Sequence, residues 1–355
     1  MARIVLAGYI GCGNLGDDSV MIGVVDGLGT HHEYLVLSGD PEDTFRHYSM
    51  HGVPRKNLKE VEAAIKECDA LVFPGGSIFQ DVTSAKSSIY YTGLIKMAKK
   101  HNKRVLLLNQ GVGPLNTWIG RSQTKTAMSL ADLIVVRDPG SMKTLKEIGV
   151  DKMIHVGADS ALILREPVRE DDGSSYGIGG MKAVALSPRP WKRKGVDIVK
   201  LFGETSRLLF NAGFIPTLIE MDPFEDGKML EAITKQQDGR IPFLRNLGSS
   251  RMVQFRLARM EGVIAMRLHA GILATTVGVP PLMLNYDPKV AAFARQIDIG
   301  PALTIEGLTS TRLFETFMEH QKAKDAHKLV IIKKREELRD QAMKAIELAN
   351  GFLKK

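Results

Sequence analysis

The chain has 355 residues, 44% hydrophobic and 25% charged, with a formal net charge of +8. That composition fits a soluble globular protein with room for two ordinary domains, and no apolar run reaches the roughly 18–20 residues that span a bilayer. The positive charge points to anionic partners. Dispersed basic residues, 6% aromatics and no nucleic-acid-binding motif exclude nucleic acid from the expected partners. Cys12 and Cys68 give neither a disulfide framework nor a metal-ligand spacing, so no metal is expected and the cytoplasm is the predicted setting.

In chain order, the start Met1-Ala-Arg-Ile-Val-Leu-Ala-Gly8 reads as a first strand and not as a signal peptide. Apolar runs predict strands at 3–8, 33–37, 70–74, 104–109, 133–137 and 153–157, separated by amphipathic stretches such as 58–67 and 89–101. This is the alternation of a parallel α/β sheet. Clustered Pro, Gly, Ser and charge at 166–182 then read as a hinge. A second series follows, with strands near 183–187, 214–219, 262–266 and 281–285. In the tail, Ile331, Leu338, Ala342, Ala345 and Ala349 mark one face of a long helix. The expected organisation is an N-terminal Rossmann-like domain over 1–165, a hinge over 166–182, a C-terminal Rossmann-like domain over 183–324 and a packing helix over 325–355. Ligands of such sheets bind outside the carboxyl ends of the strands. Two such domains joined by a hinge place the site in a central cleft.

The residues at those strand ends carry the chemistry. Gly11-Cys12-Gly13-Asn14-Leu15-Gly16 matches a dinucleotide fingerprint, with Asp40 where a ribose-binding acid would stand. Against that reading, Asp17 and Asp18 would oppose a pyrophosphate at the same helix start. They suit sugar hydroxyls instead, or a plain cap, which is the reading preferred for Asp18. Pro74-Gly75-Gly76-Ser77 and Asn109-Gln110-Gly111-Val112-Gly113 are glycine-rich turns that either approach a ligand or merely connect elements. Arg137, beside Asp138, reads equally as a ligand cation or a structural ion pair. Prolines on both sides stiffen Arg189, and its guanidinium fork suits phosphate or carboxylate. Arg267 ends the run 262–266, with His269 two residues on. That pairing suggests an anionic substrate and a proton transfer near neutrality.

Gly-Asn-Leu-Gly-Asp (13–17), Pro-Gly-Gly-Ser-Ile-Phe-Gln-Asp (74–81), Gln-Gly-Val-Gly-Pro (110–114), Val-Arg-Asp (136–138) and Arg-Leu-His (267–269) occur in order. Assembled, they resemble the polysaccharide pyruvyl transferases from Arg3 to about Asp287. Gln80–Ser84, Ser88–Tyr91 and Gly93–Ile95 resemble the branch that pyruvylates N-acetylmannosamine in the secondary cell-wall polymers anchoring surface layers. Two departures, Pro74 in place of a first glycine and Asp18 where Glu is common, fall on the acceptor side.

The resemblance implies a glycosyltransferase-B-like α/β fold of two Rossmann-like domains. It also implies phosphoenolpyruvate as co-substrate, with no cofactor, and a cyclic pyruvate ketal as product. With that donor, Arg267 and Arg189 are the expected grip on the anion, with Arg137 and Lys289 as further donor-binding cations. His269 is the expected general acid/base. Asn14, Asp17, Gly75, Gly76 and Gln110 are the expected acceptor wall. A lipid-linked or polymeric sugar is the expected partner, with peripheral contact at the inner face of an anionic membrane; the oligomeric state stays open. Three rivals remain at this stage. A nucleotide-sugar glycosyltransferase would use Asp287 for the ribose, a non-catalytic module would only bind metabolites, and an NAD oxidoreductase comes last.

Overall fold

The computed structural model describes residues 1–81, 86–167, 181–191 and 195–354. Most of the expected hinge, and Val82–Ser84 of one motif, lie outside the described residues. The chain divides into two compact units, Met1–Arg165 with Leu338–Lys355, and Glu166–Glu337.

Unit 1 holds β1 (Arg3–Ala7), β2 (Glu33–Ser38), β3 (His51–Pro54), β4 (Ala70–Phe73), β5 (Gly76–Phe79), β6 (Arg104–Val112), β7 (Leu133–Val136) and β8 (His155–Val156). Their order is β3-β2-β1-β4-β6-β7-β8, with β5 paired to β6. Unit 2 holds β9 (Lys182–Ser187), β10 (Phe214–Ile219), β11 (Phe243–Leu244), β12 (Gly262–Ala265), β13 (Pro281–Asn285) and β14 (Leu303–Thr304), in the order β11-β10-β9-β12-β13-β14. Every described pairing is parallel. Both units are thus Rossmann-like, and the architecture is the glycosyltransferase-B-like α/β fold. The inner strands are apolar throughout: all four residues of β4, of β7 and of β12 are buried, as expected of sheets covered on both faces.

Helices cover those faces. In unit 1 they are α1 (Leu15–Leu28), α2 (Pro41–Tyr48), α3 (Leu58–Glu67), α4 (Lys86–Lys100), α5 (Trp118–Leu130) and α6 (Pro139–Glu147). In unit 2 they are α7 (Ile198–Asn211), α8 (Pro223–Gln236), α9 (Ser250–Leu257), α10 (Leu268–Thr276), α11 (Pro288–Ile297) and α12 (Ser310–Lys322). The last helix, α13 (Lys324–Leu353), buries Ile331, Leu338, Ala342, Ala345 and Ala349. No helix among the described residues is long and apolar enough to cross a membrane.

One punctuation recurs. At Asp40-Pro41, Asp138-Pro139, Asp222-Pro223 and Asp287-Pro288 the chain leaves a strand, caps the next helix with the Asp carboxylate and starts that helix on Pro. Pro supplies a pre-set φ where no N–H is needed, and each cap is worth about 1 kcal/mol. Repetition fixes where four strands end, and so aligns the loops that follow them along the carboxyl edge of each sheet.

Candidate functional site

Unit 2 brings two of its three expected cations together, Arg189 and Arg267. Arg189 follows β9, Arg267 follows β12 and Tyr286 follows β13, so adjacent parallel strands deliver all three to one edge. Arg189 Nη1 donates to Tyr286 Oη at 2.8 Å while its guanidinium lies 4.9 Å from the Tyr286 ring centroid. Trp191 meets the same ring edge-on at 5.4 Å. Arg267 is buried. Its Nε donates to Asp226 Oδ1 at 3.2 Å, its Nη2 pairs with the same carboxylate, and Nη2 also donates to Glu225 Oε2 at 2.8 Å. Arg189 Nη2 reaches that same Glu225 oxygen at 3.3 Å. One half-exposed carboxylate therefore bridges both guanidiniums.

Asp226 is fully buried and accepts from the Met221 and Asp222 N–H groups as well. Burial pushes its carboxyl above the ordinary value, with Arg267 pulling the other way. His269 stands in the first turn of α10, half-buried, two residues from Arg267. Arg267 takes the N-cap position there without spending its side chain on the cap. Lys289 opens α11, half-buried, and among the described residues its Nζ has no ion pair. Asp287, the candidate for a ribose hydroxyl, spends its carboxylate on the Lys289 N–H at 3.0 Å.

In unit 1 the Gly11–Gly16 loop is a capped helix start. Asn14 Oδ1 accepts from Gly16 N at 3.0 Å. The preferred reading of Asp18 as a cap is corrected: Asp18 is buried, reaching back to Gly11 N at 2.9 Å and accepting from Tyr48 Oη at 3.1 Å. Burial lifts its carboxyl to about 6. Asp17 stands half-buried in the first turn. Gly75 and Gly76 both have positive φ, 136° and 86°, and a Cβ on Gly76 would lie 3.1 Å from Asp17 Oδ1. Glycine there serves backbone shape and close approach of a carboxylate together. Gln110 is fully buried and donates to Phe73 O at 2.9 Å and Leu108 O at 3.1 Å, bracing β4 against β6. Asp40, the acid of the dinucleotide reading, caps α2 by accepting from Asp43 N. Cys12 is no activated thiol, because burial raises it above its ordinary value.

Arg137 lies in unit 1, buried at the end of β7. It donates to Asp159 at 3.1 Å and to Ser77 Oγ at 2.9 Å, with Asp138 at 3.6 Å. A Cβ on Gly111 would sit 2.7 Å from its guanidinium carbon. Gly111 of the Gln-Gly-Val-Gly-Pro motif is therefore the slot that lets Arg137 pass. Of the two readings open in the sequence, the ion pair is present in the structure.

The family model for polysaccharide pyruvyl transferase matches residues 14–288. The chain belongs to the polysaccharide pyruvyl transferase family. It is 21% identical over 362 residues to the amylovoran biosynthesis protein AmsJ of Erwinia amylovora, covering 84% of this chain and 86% of that protein. Among solved structures it is similar to S. aureus MnaA with UDP (TM-score 0.63, 13% identity, 93% and 91% of the two chains). It is also similar to Anabaena HepE with UDP and glucose (TM-score 0.62, 11% identity, 99% of each chain). At such identities these two show the fold alone.

For a pyruvyl transferase the residues that sequence reading passed over are Glu225, Asp226 and Tyr286. The signal existed. Glu220-Met-Asp-Pro-Phe-Glu-Asp226 places four carboxylates in seven residues directly after β10, and the sheet order sets β10 beside β9. Only that order reveals that the acids meet the arginines.

Proposed function

We propose that this pyruvyl transferase uses phosphoenolpyruvate as donor and closes a cyclic ketal on two hydroxyls of an amino sugar. The observation that carries the reading is the convergence of Arg189 and Arg267 on one carboxylate oxygen of Glu225, with His269 two residues after Arg267 in sequence. Two guanidiniums that share a half-exposed carboxylate outline a seat for an external anion. Phosphoenolpyruvate offers both a carboxylate and a phosphate, and forked donors match either.

In the proposed reaction His269 gives a proton to C3 of the enol, and C2 takes on oxocarbenium character. One sugar hydroxyl adds to C2 and releases its proton to the imidazole. The bond from C2 to the phosphate oxygen breaks, a second hydroxyl adds to C2, and its proton leaves with the phosphate. Sugar hydroxyls supply both protons, one ending on the methyl group and one on phosphate. Lys289 is a further donor cation in unit 2. Unit 1 takes the acceptor through Asp17, the Gly75-Gly76 turn and the α1 start. Arg137 supports that edge from its ion pair with Asp159.

N-acetylmannosamine on a lipid-linked precursor of a surface-layer-anchoring polymer is the proposed acceptor. The +8 charge supports work at the inner face of an anionic membrane. A phosphate-release assay with phosphoenolpyruvate and a panel of free and lipid-linked amino sugars tests donor and acceptor together. Release with no acceptor, or protection from heat by nucleotide sugars and not by phosphoenolpyruvate, contradicts the reading. Liposome binding indifferent to anionic lipid and to salt contradicts the membrane part.

A further inference from the structure

Among the described residues, Arg55 is a cation with no carboxylate partner. It follows the edge strand β3, and its guanidinium lies 5.4, 5.1 and 5.6 Å from the ring centroids of Tyr9, Tyr90 and Tyr91. Its Nη1 donates to Cys12 Sγ at 3.3 Å and its Nη2 to Tyr91 Oη at 3.0 Å. Those contacts engage two of the five donors on a guanidinium. Among the described residues no carboxylate lies within ion-pair distance of it. Burial raises both the Cys12 thiol and the Tyr91 phenol above their ordinary values, so neither becomes an anion to neutralise Arg55 near pH 7.

The frame around this charge is rigid. Tyr91 is buried against Phe73 and Phe79 with ring centroids 6.1 and 6.4 Å away. Tyr90 Oη donates to the Arg55 carbonyl at 2.6 Å, and Arg55 N donates to Ser38 O at 2.9 Å. Tyr9, by contrast, is 46% exposed and presents an aromatic face at the same edge. Arg55 is half-buried with donors to spare on its open side, and Arg stacked on aromatic rings is pre-organised for a planar or tetrahedral oxyanion.

We propose that Arg55, walled by Tyr9 and Tyr90, is an anion-binding subsite that seats a saccharide carrying a phosphate or carboxylate group. Arg55 holds the anion and the exposed Tyr9 ring carries the apolar face of the sugar. Resting on the reading of unit 1 as the acceptor side, this makes the preferred acceptor an anionic saccharide. Sugar hydroxyls are left to Asp17 in the first turn of α1.

The test is calorimetric titration of the full chain without phosphoenolpyruvate. The probes are N-acetylglucosamine 1-phosphate, glucuronic acid, N-acetylglucosamine and inorganic phosphate. The anionic sugars are expected to bind about tenfold or more tightly than the neutral one, as charge-assisted hydrogen bonds allow. Preference for the phosphate or for the uronic acid identifies which oxyanion the subsite takes. Arg55→Met abolishes the preference and Arg55→Lys keeps only part of it. Tyr9→Ala, at an exposed ring, weakens the anionic sugars while leaving inorganic phosphate unchanged. Arg189→Ala in unit 2 removes anion binding at the donor seat and leaves the Arg55-dependent preference for anionic over neutral sugars unchanged. Equal binding of neutral and anionic sugars to the wild type, or unchanged preference in Arg55→Met, overturns the subsite. In Arg189→Ala, Arg55-dependent binding of inorganic phosphate as tight as that of the sugar phosphate overturns its saccharide part. Phosphate release is read separately, so loss of transfer chemistry with Arg55-dependent binding intact refutes the pyruvyl reading and spares the subsite.

Discussion

Arg189 and Arg267 donate to one and the same oxygen of Glu225, at 3.3 and 2.8 Å. The two arginines are 78 residues apart in sequence, and adjacent strands β9 and β12 bring them to one edge. If the donor binds these two arginines as proposed, Glu225 competes with it. Glu225→Gln is predicted to lower the KM for phosphoenolpyruvate by about threefold to tenfold, at roughly 1.4 kcal/mol per tenfold. Stability should change by no more than about 0.5 kcal/mol, because the carboxylate is half-exposed. A raised KM would mean that Glu225 orders the arginines and does not compete.

The two arginines differ in what they leave behind. Arg267 neutralises Asp226, which has no exposure at all, and removing one partner of a buried pair costs about 3–5 kcal/mol. Arg267→Ala is therefore predicted to lose stability on that scale. Arg189→Ala takes the Tyr286 hydroxyl's donor and one of the two guanidiniums on half-exposed Glu225, which keeps Arg267, so it should fold normally and show a raised KM. Thermal unfolding of both variants separates the cases; equal stability of the two contradicts the assignment.

Gly111→Ala is predicted to destabilise unit 1 by roughly 1–3 kcal/mol, the cost of overpacking a filled site. The added methyl meets Arg137, which cannot yield freely while it holds Asp159 and Ser77. Chemical denaturation measures the loss. A variant as stable as the wild type shows that the ion pair relaxes at no cost.

Two buried groups give opposite pH slopes. Burial lifts Asp18 from 3.8 to about 6. Its contribution is fully present below pH 4 and is lost as pH rises through 6. Burial lowers His320 to about 4, so its contribution is present above pH 6.5 and is lost as pH falls through 4. Asp18→Asn keeps an acceptor for Gly11 N–H. It is predicted to exceed the wild type by up to about 3 kcal/mol at pH 7 and to match it near pH 4, at about 1.4 kcal/mol per pKa unit. His320→Gln should gain most at acid pH. Calorimetric scans across pH 4–8 decide, and a pH-independent difference for either variant contradicts its assignment.

The strands that enclose the core were legible because β1, β4, β6, β7 and β12 are buried apolar runs that only a covered parallel sheet explains. β3 was not: His51-Gly-Val-Pro54 has one β-branched residue and ends on Pro, which an edge strand tolerates. β5 was hidden in a glycine-rich run that reads as a turn, and β11 and β14 are two residues each, too short for any pattern. At the site, Arg189, Arg267 and His269 were legible from their places after strands. Glu225 was not, because a carboxylate in the first turn of a helix reads first as a favourable charge for the helix dipole. The ion pair of Arg137 was invisible for a different reason: its partner Asp159 lies 22 residues on, past β8.

In the proposed reaction, unit 2 holds phosphoenolpyruvate on Arg189 and Arg267 while His269 moves the proton. Its most direct test is phosphate release from phosphoenolpyruvate by wild type and His269→Ala, with heat protection by phosphoenolpyruvate measured on the same samples. General acid–base catalysis is worth about 10²–10⁴-fold. The variant should lose turnover on that scale and keep the protection. Near-normal release by His269→Ala contradicts the account.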